Sequence, residues 1–117
     1  EGWVRKKPSP QASKPWKAAR IQKRWLQTRG YSVDYYDHQP RSGSKPKGQF
    51  DLRTVTMLRP AKECDPTAPD WAIEVIVAKH HIVIDFSFPD ERDSCLRIWA
   101  NGVPQSSMPP NWADGRK

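Results

Sequence analysis

Short segments of the chain alternate apolar and polar residues with a period of two, the pattern of a β-strand that has one buried face. Residues 71–77 and 81–86 show it most clearly. In the second segment, Ile82 and Ile84 fall on one face and Asp85 on the other. One buried and one solvated face is typical of antiparallel sheets in sandwiches and small barrels. The pattern therefore predicts a mainly β fold.

Prolines and glycines separate these segments. Pro8, Pro10 and Pro15 exclude a paired strand from the first long loop, because proline cannot donate to a strand ladder. Gly30 suits a tight turn, since glycine adopts positive φ without steric cost. Seven strands are predicted, at residues 2–7, 20–28, 31–37, 48–53, 54–58, 71–77 and 81–86.

The apolar period changes after the last predicted strand. Pro89 and Asp90 suit the first turn of a helix, where proline fits and a carboxylate favours the helix dipole. Leu96 and Trp99 then recur at helical spacing, and Gly102 is a typical end signal. The chain thus ends its fold with one C-terminal α-helix. Trp99 is expected in the core, and so are Trp25 and Trp71.

The length of 117 residues allows one domain with a modest core. We expect this domain at residues 1–103 and a flexible C-terminal tail or linker at residues 104–117, the whole being a fragment of a larger multidomain protein. No apolar run is long enough for a membrane span. Cys64 and Cys95 are too few for a disulfide framework, and two reduced thiols in a cytoplasmic protein are the simpler interpretation.

Positive charge is concentrated near the start of the chain. Residues 1–29 hold nine basic side chains and one acidic one, whereas the other 88 residues hold 11 basic and 12 acidic side chains. The formal net charge of +7 therefore originates in the first quarter of the chain. Such a field attracts anionic partners: membrane surfaces, inositol phosphates, nucleic acids or acidic proteins.

Five short motifs, in this order and spacing, resemble those of the pleckstrin-homology (PH) domain family. They are the opening segment at residues 1–7, Lys23-Arg24-Trp25-Leu26, Val33-Asp34-Tyr35-Tyr36, Lys47-Gly48-Gln49-Phe50-Asp51-Leu52 and Arg97-Ile98-Trp99. The resemblance covers about residues 1–103. It implies a seven-stranded bent antiparallel barrel or sandwich, capped by the helix, that for some members binds phosphoinositides.

The resemblance also implies a headgroup site between the first two strands, at the open end of the barrel. Side chains alternate along strands, so Lys6, Arg24 and Tyr35 extend inward-facing rows to this rim, and Lys47 begins the fourth strand there. Lysine offers a point charge, arginine a bidentate fork and tyrosine a hydroxyl donor to a phosphate. These four residues are the predicted phosphate ligands.

Two further residues complete the predicted site. Members of the family that bind phosphoinositides usually carry a basic residue two positions before the arginine of the second strand, and this chain has Gln22 there. Glutamine donates to a phosphate without adding charge. Arg20 is in phase with Gln22 and Arg24, so it is a candidate substitute from the preceding loop.

The first long loop places an aromatic residue between cations. Lys14, Trp16 and Lys17 form a candidate membrane-contact loop, in which the ring enters the headgroup zone and the lysines meet anionic lipid. The alternative is that Trp16 packs back on the domain. The residues alone leave both open.

The function predicted is a non-catalytic, cytoplasmic module that associates peripherally with membranes by binding phosphoinositides or other anionic headgroups. Metal-ligand spacings, nucleophile motifs and phosphate-binding glycine loops are absent from the sequence, so no cofactor, metal or catalytic residue is predicted. The alternative is a protein-interaction or scaffolding domain without a specific lipid ligand, which Gln22 favours. Nucleic-acid binding by the basic surface is a third, weaker interpretation.

Overall fold

The computed structural model describes residues 2–8, 10, 14–78 and 80–108. Within these residues the chain forms seven β-strands followed by one α-helix. Their bounds are β1 Gly2–Lys7, β2 Gln22–Arg29, β3 Ser32–Tyr36, β4 Gly48–Asp51, β5 Val55–Pro60, β6 Ala72–Val77, β7 His80–Asp85 and α1 Pro89–Trp99.

All seven strands belong to one antiparallel sheet with the order β4-β3-β2-β1-β7-β6-β5. The sheet is not closed, because the outer strands β4 and β5 do not pair with each other. It nevertheless bends back on itself, since Phe50 of β4 and Leu58 of β5 belong to one buried cluster. The predicted mainly β fold with a single C-terminal helix is confirmed.

The observed strand ends lie within two residues of the predicted ones. The largest local difference is at residues 52–54, predicted as parts of two strands but folded as a single 3₁₀ turn. The Asp51 carboxylate accepts a hydrogen bond of 2.8 Å from the backbone N–H of Arg53 and so caps this turn. A local side-chain bond therefore replaces ladder pairing at the corner between β4 and β5.

The core fills the concave side of the sheet. Trp99 of α1 is fully buried, with ring centroids of Phe50 and Phe86 at 5.8 Å and 6.5 Å in edge-on arrangements. Its indole Nε1 donates a hydrogen bond of 3.0 Å to Thr28 Oγ1. Because Thr28 lies near the end of β2, the helix closes the end of the sheet that is remote from Gln22, where β2 begins.

Two buried carboxylates brace the sheet. Asp34 is fully buried and accepts hydrogen bonds of 2.7 Å each from Arg29 Nε and Ser32 Oγ. Asp85 is also buried, and it pairs with the Arg5 guanidinium across the β1–β7 ladder. Both charges are compensated, as buried carboxylates must be.

The packed part of the domain extends past residue 103, where the sequence predicts a boundary. Residues 105–107 form a 3₁₀ turn, and Met108 is buried in the main hydrophobic cluster. The apolar Met108 side chain is what anchors this segment. The remainder of the predicted tail, residues 109–117, lies outside the described residues.

We predict that Trp99→Ala destabilises the domain by about 3–5 kcal/mol, because it deletes a fully buried ring and leaves a cavity. The neighbouring Ile98→Ala is the matched control: Ile98 is exposed, so its loss is expected to change the free energy of unfolding by under about 0.5 kcal/mol. Urea denaturation followed by circular dichroism measures both. Equal effects of the two substitutions would contradict the role given to Trp99.

Candidate anion-binding site

The strand ladders bring the predicted rim residues to one end of the sheet. In the β1–β2 ladder Lys6 pairs with Gln22, and Val4 pairs with Arg24. Val4 is buried in the core, so the inward-facing row of β1 runs from Val4 to Lys6. This is the end of the sheet that the helix does not close.

Lys6 is the most unusual side chain at this rim, because it is an amine with only 4% of its surface exposed. Its Nζ lies 4.3 Å from the centroid of the Tyr35 ring, a cation–π contact. Burial, and after it the positive charge of Arg24, lower the pKa of Lys6 to about 8. No carboxylate is among the groups that shift this pKa. Lys6 is thus a buried cation beside a second cation.

Asp37 joins the other two cations of the rim. Its Oδ1 lies 3.2 Å from Arg24 Nη1, and its Oδ2 lies 3.1 Å from Lys47 Nζ. The hydrogen bond from Lys47 is the main cause that holds the pKa of Asp37 below its ordinary value, and the charge of Arg24 adds to it. One carboxylate therefore bridges two of the predicted phosphate ligands.

The Tyr35 ring and the start of β4 fit closely together. The backbone N–H of Lys47 donates a hydrogen bond of 2.7 Å to the carbonyl oxygen of Tyr35. A Cβ added at Gly48 would lie 2.4 Å from the Tyr35 hydroxyl oxygen, so only glycine leaves room for the ring. Burial raises the pKa of Tyr35, which keeps its hydroxyl protonated as a donor. Gly48 is therefore a positioning residue for Tyr35.

The structure brings together Lys6, Arg24, Tyr35 and Lys47 at this rim. Gln22 begins β2 opposite Lys6, whereas Arg20 precedes the strand with an exposed side chain. Asp37 is the rim residue that sequence reasoning missed. The available signal was an acidic residue directly after β3, two positions beyond the tyrosine assigned to the rim.

Trp16 of the first long loop packs back on the domain, one of the two alternatives that the sequence leaves open. It is half-buried against a cluster of Ala61, Ala68, Ala72 and Val83. Its backbone N–H donates a hydrogen bond of 2.7 Å to Asp65 Oδ2. These contacts tie the loop to the connection between β5 and β6.

The lysines on either side of Trp16 remain exposed. The Lys14 carbonyl oxygen accepts a hydrogen bond of 2.7 Å from Nζ of the buried Lys7. The backbone N–H of Lys17 donates one of 3.3 Å to Thr67 Oγ1. The backbone of residues 14–17 is therefore held in place while the side chains of Lys14 and Lys17 reach solvent.

Two of the tryptophans predicted in the core lie elsewhere. Trp25 lies on the outer face of the sheet, half-buried and edge-on to Trp3 at 5.4 Å between ring centroids. Trp71 is also half-buried, with the Arg92 guanidinium 5.2 Å from its ring centroid. Arg24 and Leu26 point inward, so Trp25 between them faces outward, because adjacent residues of a strand face opposite sides.

Within residues 2–8, 10, 14–78 and 80–108, no three His, Cys, Asp or Glu side chains are grouped so that they could hold a metal ion. In the same part of the chain, the helix is too short and too polar to cross a bilayer.

A family model described as the PH domain matches residues 1–100. A search of curated protein sequences finds no significant match.

Solved structures with a similar fold include the N-terminal PH domain of human ARAP2, at 25% sequence identity, with coverage of 87% of this chain and 76% of that chain and a TM-score of 0.60. The PH domain of ArhGAP27 is 16% identical over 88% of this chain and 97% of that chain, with a TM-score of 0.65. The C-terminal PH domain of pleckstrin in complex with D-myo-Ins(1,2,3,5,6)P5 is 19% identical, covers 88% and 92%, and has a TM-score of 0.56.

We predict that Lys6 titrates near pH 8, well below the roughly 10.4 of an exposed lysine. Arg24→Gln is expected to raise this pKa, because it removes the neighbouring positive charge. Side-chain NMR of the assigned Lys6 Cε resonance measures both values. Titration of Lys6 in the unsubstituted domain near the roughly 10.4 of an exposed lysine would refute the buried environment.

Proposed function

The chain belongs to the PH domain family, and from this premise we propose that it binds phosphoinositide headgroups at the rim formed by Lys6, Arg24, Tyr35 and Lys47. The observation that carries the proposal is the buried Lys6 beside Arg24, with no carboxylate acting on the pKa of the lysine. Two adjacent cations repel each other unless an anion lies between or above them. A phosphate group is an anion of suitable charge and hydrogen-bonding capacity.

Each rim side chain has a distinct part in this proposal. Lys6 supplies a desolvated charge, which is electrostatically stronger than the same charge in water. Arg24 supplies a planar donor pair, and Tyr35 supplies a neutral hydroxyl donor. Lys47 adds a more exposed charge across from Arg24. Gln22 stands at the start of β2 as an uncharged donor, so we expect a site of modest affinity.

Comparison with pleckstrin supports the ligand class. Two of the similar solved structures are complexes of its C-terminal PH domain with inositol pentakisphosphates. That binding belongs to pleckstrin, and its likeness to this chain is one of fold. The rim residues of this chain supply the independent reason to propose the same class of ligand here.

Peripheral membrane association follows from a headgroup ligand. Lys14 and Lys17 are exposed on the first loop, and Arg20 is exposed before β2. Basic side chains near an anionic surface add attraction that salt screens. In this proposal the loop contributes charge, while Trp16 stays packed against the domain rather than entering the lipid.

A second candidate function is protein interaction without a specific lipid. It is favoured by a separate observation: Trp3, Phe88 and Ile98 are large apolar side chains that remain exposed, at 39%, 61% and 54% of their surface. Exposed apolar patches mark interaction sites more often than isolated apolar residues do. Protein binding of this kind would persist when the phosphate rim is removed.

We predict that Lys6→Met and Arg24→Gln each weaken binding of soluble inositol phosphates at least about tenfold, because each removes a charge-assisted contact. Lys62→Met is the matched control: it removes one charge from an exposed site after β5. Amide NMR titration and isothermal calorimetry give the affinities, and phosphoinositide vesicles test the membrane form. Equal weakening by all three substitutions would show nonspecific attraction and contradict a defined pocket.

The free energy of unfolding of Lys6→Met shows whether a loss of ligand binding is caused by unfolding. In the folded domain the pKa of Lys6 is about 8 against an ordinary 10.5, so burial disfavours its charged form. The unsubstituted domain should therefore gain stability as pH rises from 8 to 10.5, where only the unfolded chain still holds the proton. At pH 7 we expect Lys6→Met to be the more stable protein, by on the order of 2 kcal/mol.

Asp37→Asn should tighten binding of the same inositol phosphates by about three- to tenfold. Asp37 forms ion pairs with both Arg24 and Lys47, so an incoming phosphate competes with its carboxylate for these cations. Asp51→Asn is the control, because it makes the same change in charge at an exposed pair with Arg53. If Asp37→Asn weakened binding, or if Asp51→Asn tightened it equally, the competition would be disproved.

A further inference from the structure

A groove of about 720 Å³ lies between the start of the β1–β2 ladder and helix α1, at the opposite end of β1 from Lys6. Its volume is in the range of ligand-binding clefts. The six largest apolar side chains of its lining are Trp3, Trp25, Leu26, Phe86, Phe88 and Ile98. Three of these six, Trp3, Phe88 and Ile98, are among the exposed large hydrophobic residues of the described chain.

The backbone holds Phe88 in an exposed position at a local cost. Ser87, which precedes it, has φ of +69°, a left-handed conformation that is unfavourable for a residue with a Cβ. The backbone N–H of Ser87 donates a hydrogen bond of 3.0 Å to Asp85 Oδ1, and Asp85 is itself buried and paired with Arg5. The buried Asp85 carboxylate therefore fixes the turn that presents Phe88 to solvent.

Trp25, which lines the groove, has a buried hydrogen-bond donor without a partner. Its Nε1 is buried and, among the described residues, it is the one buried side-chain nitrogen or oxygen without a hydrogen-bond partner. Such a group is costly to leave unpaired. A ligand carbonyl would supply the missing acceptor once the half-buried ring turns from its edge-on contact with Trp3.

The edge of the groove is acidic, although the chain as a whole carries a formal net charge of +7. Asp90 and Glu91 line it from the first turn of α1, and both are exposed. The described residues show neither carboxylate in an ion pair. A partner with a basic side chain next to apolar ones therefore complements this edge in charge.

We propose that this groove binds an extended, proline-rich segment of a partner protein that carries a basic residue at one end. Aromatic side chains pack well against proline rings, and a polyproline II segment loses little conformational entropy on binding. Its backbone carbonyls are not bonded internally, so one of them is free to accept from Trp25 Nε1. Asp90 and Glu91 then receive the basic residue.

The indole donor distinguishes this occupant from a helix. The carbonyls of an α-helix are already bonded within the helix, apart from the last turn. An amphipathic helix could fill the apolar groove but would leave Trp25 Nε1 unpaired. The extended segment packs against the apolar surface, pairs its basic residue with the acidic edge and accepts the hydrogen bond from Trp25 Nε1. The inference is independent of the phosphate site, which lies at the other end of β1.

A synthetic acetylated peptide, RPLPPLPP, is the probe, and its counterpart EPLPPLPP has the opposite terminal charge. In NMR titrations of the domain, RPLPPLPP is expected to shift the Trp25 indole N–H resonance downfield. Phe88→Ala is expected to lower the affinity for this peptide at least about tenfold. Glu91→Lys should lower the affinity of the domain for RPLPPLPP and raise its affinity for EPLPPLPP. This exchange of charge preference tests the acidic edge directly.

Lys6→Met and Arg24→Gln are the controls, since both should leave peptide affinity unchanged while reducing inositol phosphate binding. Phe88→Ala should do the reverse, which separates this inference from the proposed function. Three outcomes would overturn it: no saturable shift of Trp25 with RPLPPLPP, tighter binding of an amphipathic helical peptide of equal charge, or concentration-dependent self-association of the domain that Phe88→Ala abolishes.

Discussion

The burial of Trp99 determines which end of the bent sheet is closed. An open seven-stranded sheet has two ends, and its concave side must be filled by side chains. Trp99 is bonded to Thr28, six residues along β2 from Gln22, so the helix fills the remote end, roughly 20 Å away along the strand. No helix fills the other end, where β2 begins at Gln22. The inward rows of β1, β2 and β3 can therefore end there in Lys6, Arg24 and Tyr35 without a conflict with the core.

That arrangement makes Lys6 a cost to folding and, under the proposed function, a favourable charge for binding. A lysine with 4% exposure is disfavoured in its charged form, which the lowered pKa of about 8 expresses. The Tyr35 ring compensates in part, by a contact at 4.3 Å, and Gly48 leaves the space for that ring. Asp37 neutralises Arg24 and Lys47 but does not act on the pKa of Lys6. Carboxylates therefore neutralise the rim only in part.

Period-two alternation and turn residues were sufficient to predict the strands, because both reflect local backbone chemistry. The same alternation placed Lys6, Arg24 and Tyr35 on one rim, since the direction of a side chain follows from its position in the strand. The sequence did not indicate Asp37 as a rim residue, because its contacts with Arg24 and Lys47 join residues that are distant along the chain. Trp25 was misassigned to the core by its hydrophobicity, although the inward direction of its neighbours already required it to face outward.

The two ends of the β1–β2 pair suggest how a weak rim could still give a stable complex. Gln22 leaves the rim without a third positive charge on a strand, and Asp37 forms ion pairs with two of the rim cations, Arg24 and Lys47. The apolar groove opens at the opposite end of the same strands, so occupancy of one site leaves the other unobstructed. If the proposed rim and groove each bind with modest affinity, they act together when their ligands share a membrane surface, because the second contact becomes intramolecular. Selectivity would then arise from the coincidence of headgroup and partner rather than from either alone.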